Sequence, residues 1–216
     1  MMREKALLLG VYFLVLIVSR TELLANEKFE VADDTLIYSG DYSVDEDDDA
    51  EIDWDDVDAL KSLLLENPNV KTLQLNASGG YTEAAYEMSD IIIDFGLDTF
   101  VAGECVSACT LLFLAGNKRI LQRGSKIGFH QSYWEPQDIR EYYESEKEYE
   151  GWNDEFEFAA WLYRDTQSEI FLDMEYLLER GVSPEFAIQT FKATENEMWY
   201  PRRLELIEAG FITDLD

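Results

Sequence analysis

The alternation of short apolar strands with amphipathic helices between residues 70 and 131 restricts the fold of this chain most strongly. Apolar and polar residues alternate in Val70–Asn76, and short apolar runs recur at Thr99–Ala102 and Ile127–Phe129, which predicts three strands. Between them, apolar residues at helical spacing predict helices at Tyr81–Phe95 and Ala108–Leu114. Strands separated by helices in this way predict an α/β domain with a parallel sheet covered by helices.

Further elements flank this region on both sides. A strand at Thr35–Gly40 and a helix at Trp54–Glu66 are predicted before it. After residue 131 the chain becomes polar, acidic and rich in aromatic residues. Four helical segments then form a predicted C-terminal arm, at Glu155–Tyr163, Glu169–Arg180, Pro184–Phe191 and Pro201–Ala209.

Residues 1–25 have the pattern of a secretory signal peptide. Arg3 and Lys5 form a basic start, residues 6–18 are dominated by apolar side chains, and Leu23-Leu24-Ala25 is a candidate cleavage site. The apolar run is shorter than the roughly 20 residues that a spanning helix needs. We expect export to the periplasm or another extracytoplasmic space, with residues 26–216 forming a single domain. The alternative is an uncleaved N-terminal anchor, which would associate the protein peripherally with a membrane.

The charge balance is strongly acidic, with 46 Asp and Glu residues against 17 Lys and Arg residues and a net charge of −29. Such a surface repels phosphates, which argues against nucleic acid and anionic lipid as partners. Solvated acidic faces that keep the protein soluble explain this charge. Adaptation to salt or the binding of cations is the alternative.

Metal binding is not predicted, although acidic residues are concentrated between Asp45 and Asp58. An EF-hand loop counted from Asp47 has Ile52 at its sixth position and Asp58 at its twelfth, where glycine and glutamate are needed. One histidine and two cysteines are too few for a zinc cluster. We predict neither a metal nor another cofactor.

A serine nucleophile and a base are candidates in the central region. His130 is the single histidine of the chain, and it follows Ser107 by 23 residues. Imidazole is the side chain whose ordinary pKa suits a general base near neutral pH. Ser107 is predicted to open a helix, so the amide of Ala108 could stabilise an oxyanion, and Gly79-Gly80 could supply a second amide. Taken singly, a helix cap, a turn and a structural histidine explain the same residues.

Four segments in this order add a family resemblance: LQLNASGG at 73–80, CVSAC at 105–109, AGNKR at 115–119 and IGFHQ at 127–131. Together they resemble the Clp protease proteolytic subunit and its relatives in the Clp/crotonase superfamily. In particular they resemble small exported Clp-like proteins with a Cys-x-Ser-x-Cys motif. The resemblance covers 73–131, with a weaker similarity over 184–213. It implies a β-β-α spiral fold, a peptide or protein substrate and a homo-oligomer.

The resemblance also assigns roles to individual residues. Ser107 would be the nucleophile and His130 the base, while the amides of Gly79 and Ala108, with Gly80 beside them, would form the oxyanion site. Where the family has Ser-Pro before the two glycines, this chain has Ala77 and Ser78, which leaves that loop less rigid.

The third member of a catalytic triad is the main departure from the family. Alignment on Gly210 puts Met198 at the position of the family's aspartate. Glu195, Asn196 and Glu197 are close in sequence, and we expect Asn196 or Glu197 to orient the imidazole. A Ser/His dyad is the alternative.

Two other features leave alternatives open. An exported protein with an even cysteine count favours a disulfide between Cys105 and Cys109, whereas burial as two small apolar side chains is the alternative. Nine aromatic residues between Tyr133 and Trp161 either line a peptide groove or a subunit contact, or pack the helical arm.

These observations predict an exported Clp-like serine peptidase or hydrolase that is ATP-independent in itself and attacks a peptide or acyl carbonyl through Ser107. A catalytically degenerate binding or scaffold protein of the same fold is the alternative, and Met198 favours it. A crotonase-like acyl-thioester enzyme is disfavoured, because the acidic surface would repel an anionic nucleotide cofactor.

Overall fold

The computed structural model describes residues 28–40, 51–194 and 197–214. The chain divides into two compact units, one ending at Gly128 and completed by the segment from Ile212, the other spanning Phe129–Phe211. The predicted signal peptide lies outside the described residues. Within the described ranges, no helix combines the length and the apolar character needed to cross a bilayer.

The described part of the first unit is built on a six-stranded sheet with the strands β1 Phe29–Ala32, β2 Thr35–Ser39, β3 Thr72–Ala77, β4 Asp98–Val106, β5 Arg119–Leu121 and β6 Lys126–Gly128. Among these strands, only β1 and β2 pair antiparallel. Strands β1 to β5 lie in sequential order, and β6 pairs with the far end of β4. Side chains alternate between buried and half-buried along β2 and β3, as expected for strands with one covered face.

In the described residues of the first unit, three helices connect these strands: α1 Trp54–Glu66, α2 Thr82–Phe95 and α3 Cys109–Ala115. Apolar residues at helical spacing give α2 one buried face, and Gly96 ends it with a left-handed φ of +68°. All seven residues of α3 are buried. The parallel sheet and the strand–helix alternation predicted from the sequence are therefore confirmed in this unit.

A bend in β4 determines where its last residues go. Residues 98–101 pair with β3 and β5, and after a register shift residues 104–106 pair with β6. At the bend, Gly103 has φ of +122°, and a Cβ there would lie 2.2 Å from Oδ1 of Asn76. The same oxygen accepts a hydrogen bond from the Glu104 amide at 3.0 Å. The Asn76 side chain thus occupies the space beside Gly103 and binds the Glu104 amide, which stabilises the path of β4 through the bend to Val106.

The second unit is mainly helical in its described part, as predicted for the C-terminal arm. Two features of this unit differ from the sequence prediction. A helix was not predicted in the acidic stretch after residue 131, but α4, Pro136–Glu150, forms there. The two segments predicted between 155 and 180 are one continuous helix, α5, Glu155–Glu179. The helices are α4 Pro136–Glu150, α5 Glu155–Glu179, α6 Pro184–Thr190 and α7 Arg203–Glu208.

The aromatic residues after His130 divide into a packed group and an exposed group. Tyr142, Trp152, Phe158 and Trp161 contact one another, with ring centroids 4.8 to 6.3 Å apart, and join α4 to α5. Other aromatic side chains of the same stretch remain exposed, most strongly Tyr149 and Phe156. Packing of the arm therefore explains the first group, whereas a peptide groove or a subunit contact for the exposed side chains stays a prediction.

Candidate active site

Ser107 lies at the turn between β4 and α3. Its backbone has φ of +53°, a left-handed conformation that is uncommon for a residue with a side chain. The Ser107 amide donates to the Gly128 carbonyl at 3.1 Å, and its carbonyl accepts from the amide and hydroxyl of Thr110 at 2.9 and 2.7 Å. The side chain is half-buried. A strained strand-to-helix turn of this kind presents a nucleophile at the edge of a sheet.

The position of Ser107 corrects one detail of the sequence prediction. The serine was expected to open the helix, but Ala108 occupies the N-cap position and α3 begins at Cys109. Ser107 is one residue further from the helix, so its conformation is fixed by the end of β4 rather than by helix capping.

A disulfide joins Cys105 and Cys109 across this turn. Their Cα atoms are 5.3 Å apart, whereas residues four apart in a regular helix are separated by about 6.2 Å. The separation is shorter because Cys105 is still in β4 and the chain turns sharply at Ser107 before α3 begins. Both cysteines are fully buried. The disulfide therefore closes a small loop that contains the serine.

The two glycines after β3 pack directly against the serine turn. Gly79 has φ of +123°, and a Cβ there would lie 2.7 Å from Cβ of Ser107 and 3.2 Å from its Oγ. The Gly79 carbonyl accepts from the Ile52 amide at 2.8 Å, and the Ile52 carbonyl accepts from the Tyr81 amide at 2.9 Å. Gly80 forms a bridge with Ile52 and has no room for a Cβ. Only glycine allows this approach of backbone to Ser107.

The amides of Gly79 and Ala108 are candidate oxyanion donors. Both residues are buried. Within the described part of the first unit, neither amide donates a hydrogen bond to a protein acceptor. Buried amide groups are almost always paired, so the amide of the next residue, Ala108, and that of Gly79, which packs against Ser107, are suited to donate to a ligand oxygen.

A buried polar network supports the segment that holds the glycines, and it was not predicted from the sequence. Nζ of Lys28 donates to Oδ2 of both Asp53 and Asp56 at 3.0 Å and to the Glu51 carbonyl at 2.7 Å. The hydroxyl of Tyr38 donates to Asp56 at 2.7 Å. Burial raises the pKa of Asp56, while the hydrogen bond from Tyr38 and the charge of Lys28 oppose that shift.

This network has a consequence for the glycine loop. Lys28 binds Glu51 and Asp53, the residues on both sides of Ile52. The Ile52 amide in turn donates to the Gly79 carbonyl. Asp53 and Asp56 also cap α1 reciprocally, since each side chain accepts from the other residue's amide. The Asp-x-x-Asp spacing is a signal for this cap, but nothing local in the sequence indicates its partner Lys28.

His130 belongs to the second unit, whereas Ser107 belongs to the first. Its side chain is half-buried. Nδ1 of His130 lies 2.8 Å from the carbonyl oxygen of Gln131, and its ring centroid lies 6.0 Å from that of Tyr133. Within the described part of the second unit, no carboxylate pairs with the imidazole.

Of the two candidates for the third triad residue, Glu197 lies within the described residues and Asn196 does not. Asn196, like Glu195, lies outside the described residues. Glu197 is exposed, and its amide donates to the Thr194 carbonyl at 2.9 Å. The assignment of Asn196 or Glu197 as the orienting residue stays a prediction.

Comparison with known proteins shows a similarity of fold to a solved protease subunit. No family model matches the chain, and no curated protein matches its sequence. Among solved structures, an asparagine-to-aspartate mutant of ClpP1 from Listeria monocytogenes is similar, with a TM-score of 0.54 and 18% identity. The match covers 89% of this chain and 92% of that one. The chain therefore has the mixed α/β fold, with a parallel sheet and helices, of the Clp protease proteolytic subunit, which confirms the predicted fold class.

Proposed function

We propose that this chain is an exported Clp-like serine hydrolase that acts on a peptide or acyl carbonyl. The observation that carries the proposal is the serine turn: Ser107 is held at φ of +53° and packs against Gly79. In the described part of the first unit, the buried amides of Gly79 and Ala108 have no protein acceptor. A nucleophile beside paired donors is the arrangement that acyl transfer requires.

The proposed reaction uses His130 as the base. Oγ of Ser107 bonds to the substrate carbonyl carbon while its proton passes to the imidazole, and the amides of Gly79 and Ala108 donate to the oxyanion. When the bond to the leaving group breaks, the leaving group takes the proton from His130. Water then hydrolyses the acyl-enzyme by the same route and restores Ser107. This pairing is supported by the order and spacing of the motifs CVSAC at 105–109 and IGFHQ at 127–131.

Export is supported by the disulfide as well as by the signal-like N-terminus. Disulfides persist in oxidising compartments and are rare in the cytosol. The Cys105–Cys109 bond is therefore consistent with a periplasmic or extracytoplasmic protein.

A homo-oligomer is proposed on the exposed face of α5. Phe156, Tyr163 and Ile170 are exposed and seven residues apart, so they follow one face of the helix. A long helix with an exposed apolar stripe favours contact with another protein surface. A second copy of the chain is the partner we propose.

A labelling experiment tests the proposed activity. The folded chain is incubated with a fluorophosphonate, and the adduct is located by peptide mass spectrometry. We expect one adduct per chain, located on Ser107. The adduct should be lost in Ser107→Ala. It should be kept in the control Ser145→Ala, because Ser145 is on the exposed surface of α4. Absence of an adduct on the folded wild-type chain would instead favour a non-catalytic binding protein, the alternative that Met198 favours.

A further inference from the structure

The imidazole of His130 has a hydrogen-bond partner on the main chain. Its Nδ1 lies 2.8 Å from the carbonyl oxygen of the next residue, Gln131. A carbonyl can only accept, so this contact is a hydrogen bond when Nδ1 carries the proton. The neutral ring then has its lone pair on Nε2.

The residue that supplies this carbonyl is held on two sides. The Gln131 amide donates to the Ala193 carbonyl at 2.8 Å, and its side-chain Nε2 donates to the Phe191 carbonyl at 2.6 Å. Next to it, Phe129 and Trp199 exchange two backbone hydrogen bonds of 2.9 Å. The backbone around Gln131 is therefore anchored to the segment after α6, independently of the imidazole.

We propose that the main-chain carbonyl of Gln131 takes the place of the triad carboxylate and orients His130 with Nε2 as the basic nitrogen. In a Ser/His/Asp triad the acid accepts from Nδ1–H, fixes the tautomer and stabilises the imidazolium. A neutral carbonyl fixes the tautomer equally well but stabilises the imidazolium less, because hydrogen bonds to charged groups are stronger. Gln131 is then a positioning residue, and this role rests on the proposed function.

The single histidine makes a direct test possible. In a chain labelled with nitrogen-15 at histidine, only one imidazole contributes signals, and nitrogen–proton correlation in alkaline buffer reports which ring nitrogen carries the proton. We expect the Nδ1–H tautomer to dominate. A dominant Nε2–H tautomer, or equal populations of the two, would overturn the proposal.

Variants separate Gln131 from the competing residues. Gln131→Ala removes the anchor to Phe191, so it should lower the Nδ1–H population and slow fluorophosphonate labelling about tenfold, since small displacements of catalytic groups have large effects on rate. Gln137→Ala, a change at an exposed glutamine of α4, should alter neither. If Asn196→Ala or Glu197→Ala shifts the tautomer and Gln131→Ala does not, the carbonyl is not the orienting group.

Labelling of Ser107 and the tautomer of His130 are separate readouts, so they test the hydrolase activity and the role of Gln131 separately. Labelling of Ser107 with a dominant Nε2–H tautomer would remove the role of Gln131 and leave the hydrolase. The Nδ1–H tautomer without any labelling would rule out the proposed hydrolase activity. The contact between His130 and the Gln131 carbonyl would then have no catalytic role and would only hold the imidazole in place. Thermal unfolding of each variant shows whether a lost signal reflects a lost fold.

Discussion

A methyl group at Gly79 would lie 2.7 Å from Cβ of Ser107, so the glycine loop and the serine turn are in direct packing contact. Gly79→Ala should therefore destabilise the protein by about 3 kcal/mol, from backbone strain together with crowding, and abolish labelling of Ser107. Urea unfolding measures the first effect. The control Gly124→Ala, also at positive φ but with open space around it, should cost only about 1 kcal/mol. Equal losses for the two variants would contradict the packing argument.

Removal of the disulfide should act locally. The loop closed by Cys105 and Cys109 is short, so the bond contributes about 2 kcal/mol at most through chain entropy. We expect the Cys105→Ala, Cys109→Ala double variant to remain folded but to label Ser107 more slowly, because its turn is less restricted. Thiol titration of the denatured wild-type chain should give no free thiols without reductant and two with it. Two free thiols without reductant would contradict the observed bond.

The network around Lys28 predicts a pH dependence of stability. Burial opposes the charge of Lys28, but the hydrogen bonds and charges of Asp53 and Asp56 outweigh burial and raise the pKa of Lys28 above 10.5. A pKa raised by folding stabilises the protein fully below the unfolded value, and this stabilisation is lost as the pH rises through the folded value.

Lys28→Met should thus lower the free energy of unfolding by about 2 kcal/mol at pH 8, a value reduced for the partial exposure of Lys28. The difference from the wild type should shrink above about pH 10.5. Lys61→Met, on the exposed face of α1, serves as the control. A difference that stays constant from pH 8 to pH 12 would show that the charge of Lys28 is not what stabilises the fold.

The apolar stripe of α5 predicts an assembly that can be broken. The Tyr163→Glu, Ile170→Glu double variant should reduce the molar mass measured by light scattering after gel filtration, because it buries carboxylates in the proposed contact. Ser168→Glu adds one carboxylate on the opposite side of the helix and should leave the mass unchanged. A monomeric wild-type chain, or an unaffected double variant, would rule out this face as the contact.

Elements with strong local signals could be predicted from the sequence. Helix α1 has the predicted bounds, and α2 ends at Gly96 as predicted, because apolar periodicity and a terminal glycine depend only on neighbouring residues. Strand β1 was missed because only Phe29 of its four residues is buried, which leaves no alternating pattern. Helix α4 was missed because it has no buried residue and so carries no apolar stripe.

The site was predictable in part, for the same physical reason. The motifs identified Ser107, Gly79 and Ala108, and the structure brings these three together in the first unit. The left-handed conformation of Ser107 depends on pairing of β4 with β6, and the support of Ile52 depends on Lys28. Both contacts join residues more than 20 positions apart, and a local sequence pattern does not indicate contacts at that separation.

The rate at which a fluorophosphonate modifies Ser107 tests the Ser107–His130 mechanism most directly, when it is compared between the wild-type chain and His130→Ala. Removal of a general base costs about a hundredfold or more in rate. We predict an adduct on Ser107 in the wild-type chain and a rate at least about a hundredfold lower in folded His130→Ala. Equal rates in the two proteins, or modification of Ser107→Ala at the wild-type rate, would contradict the mechanism.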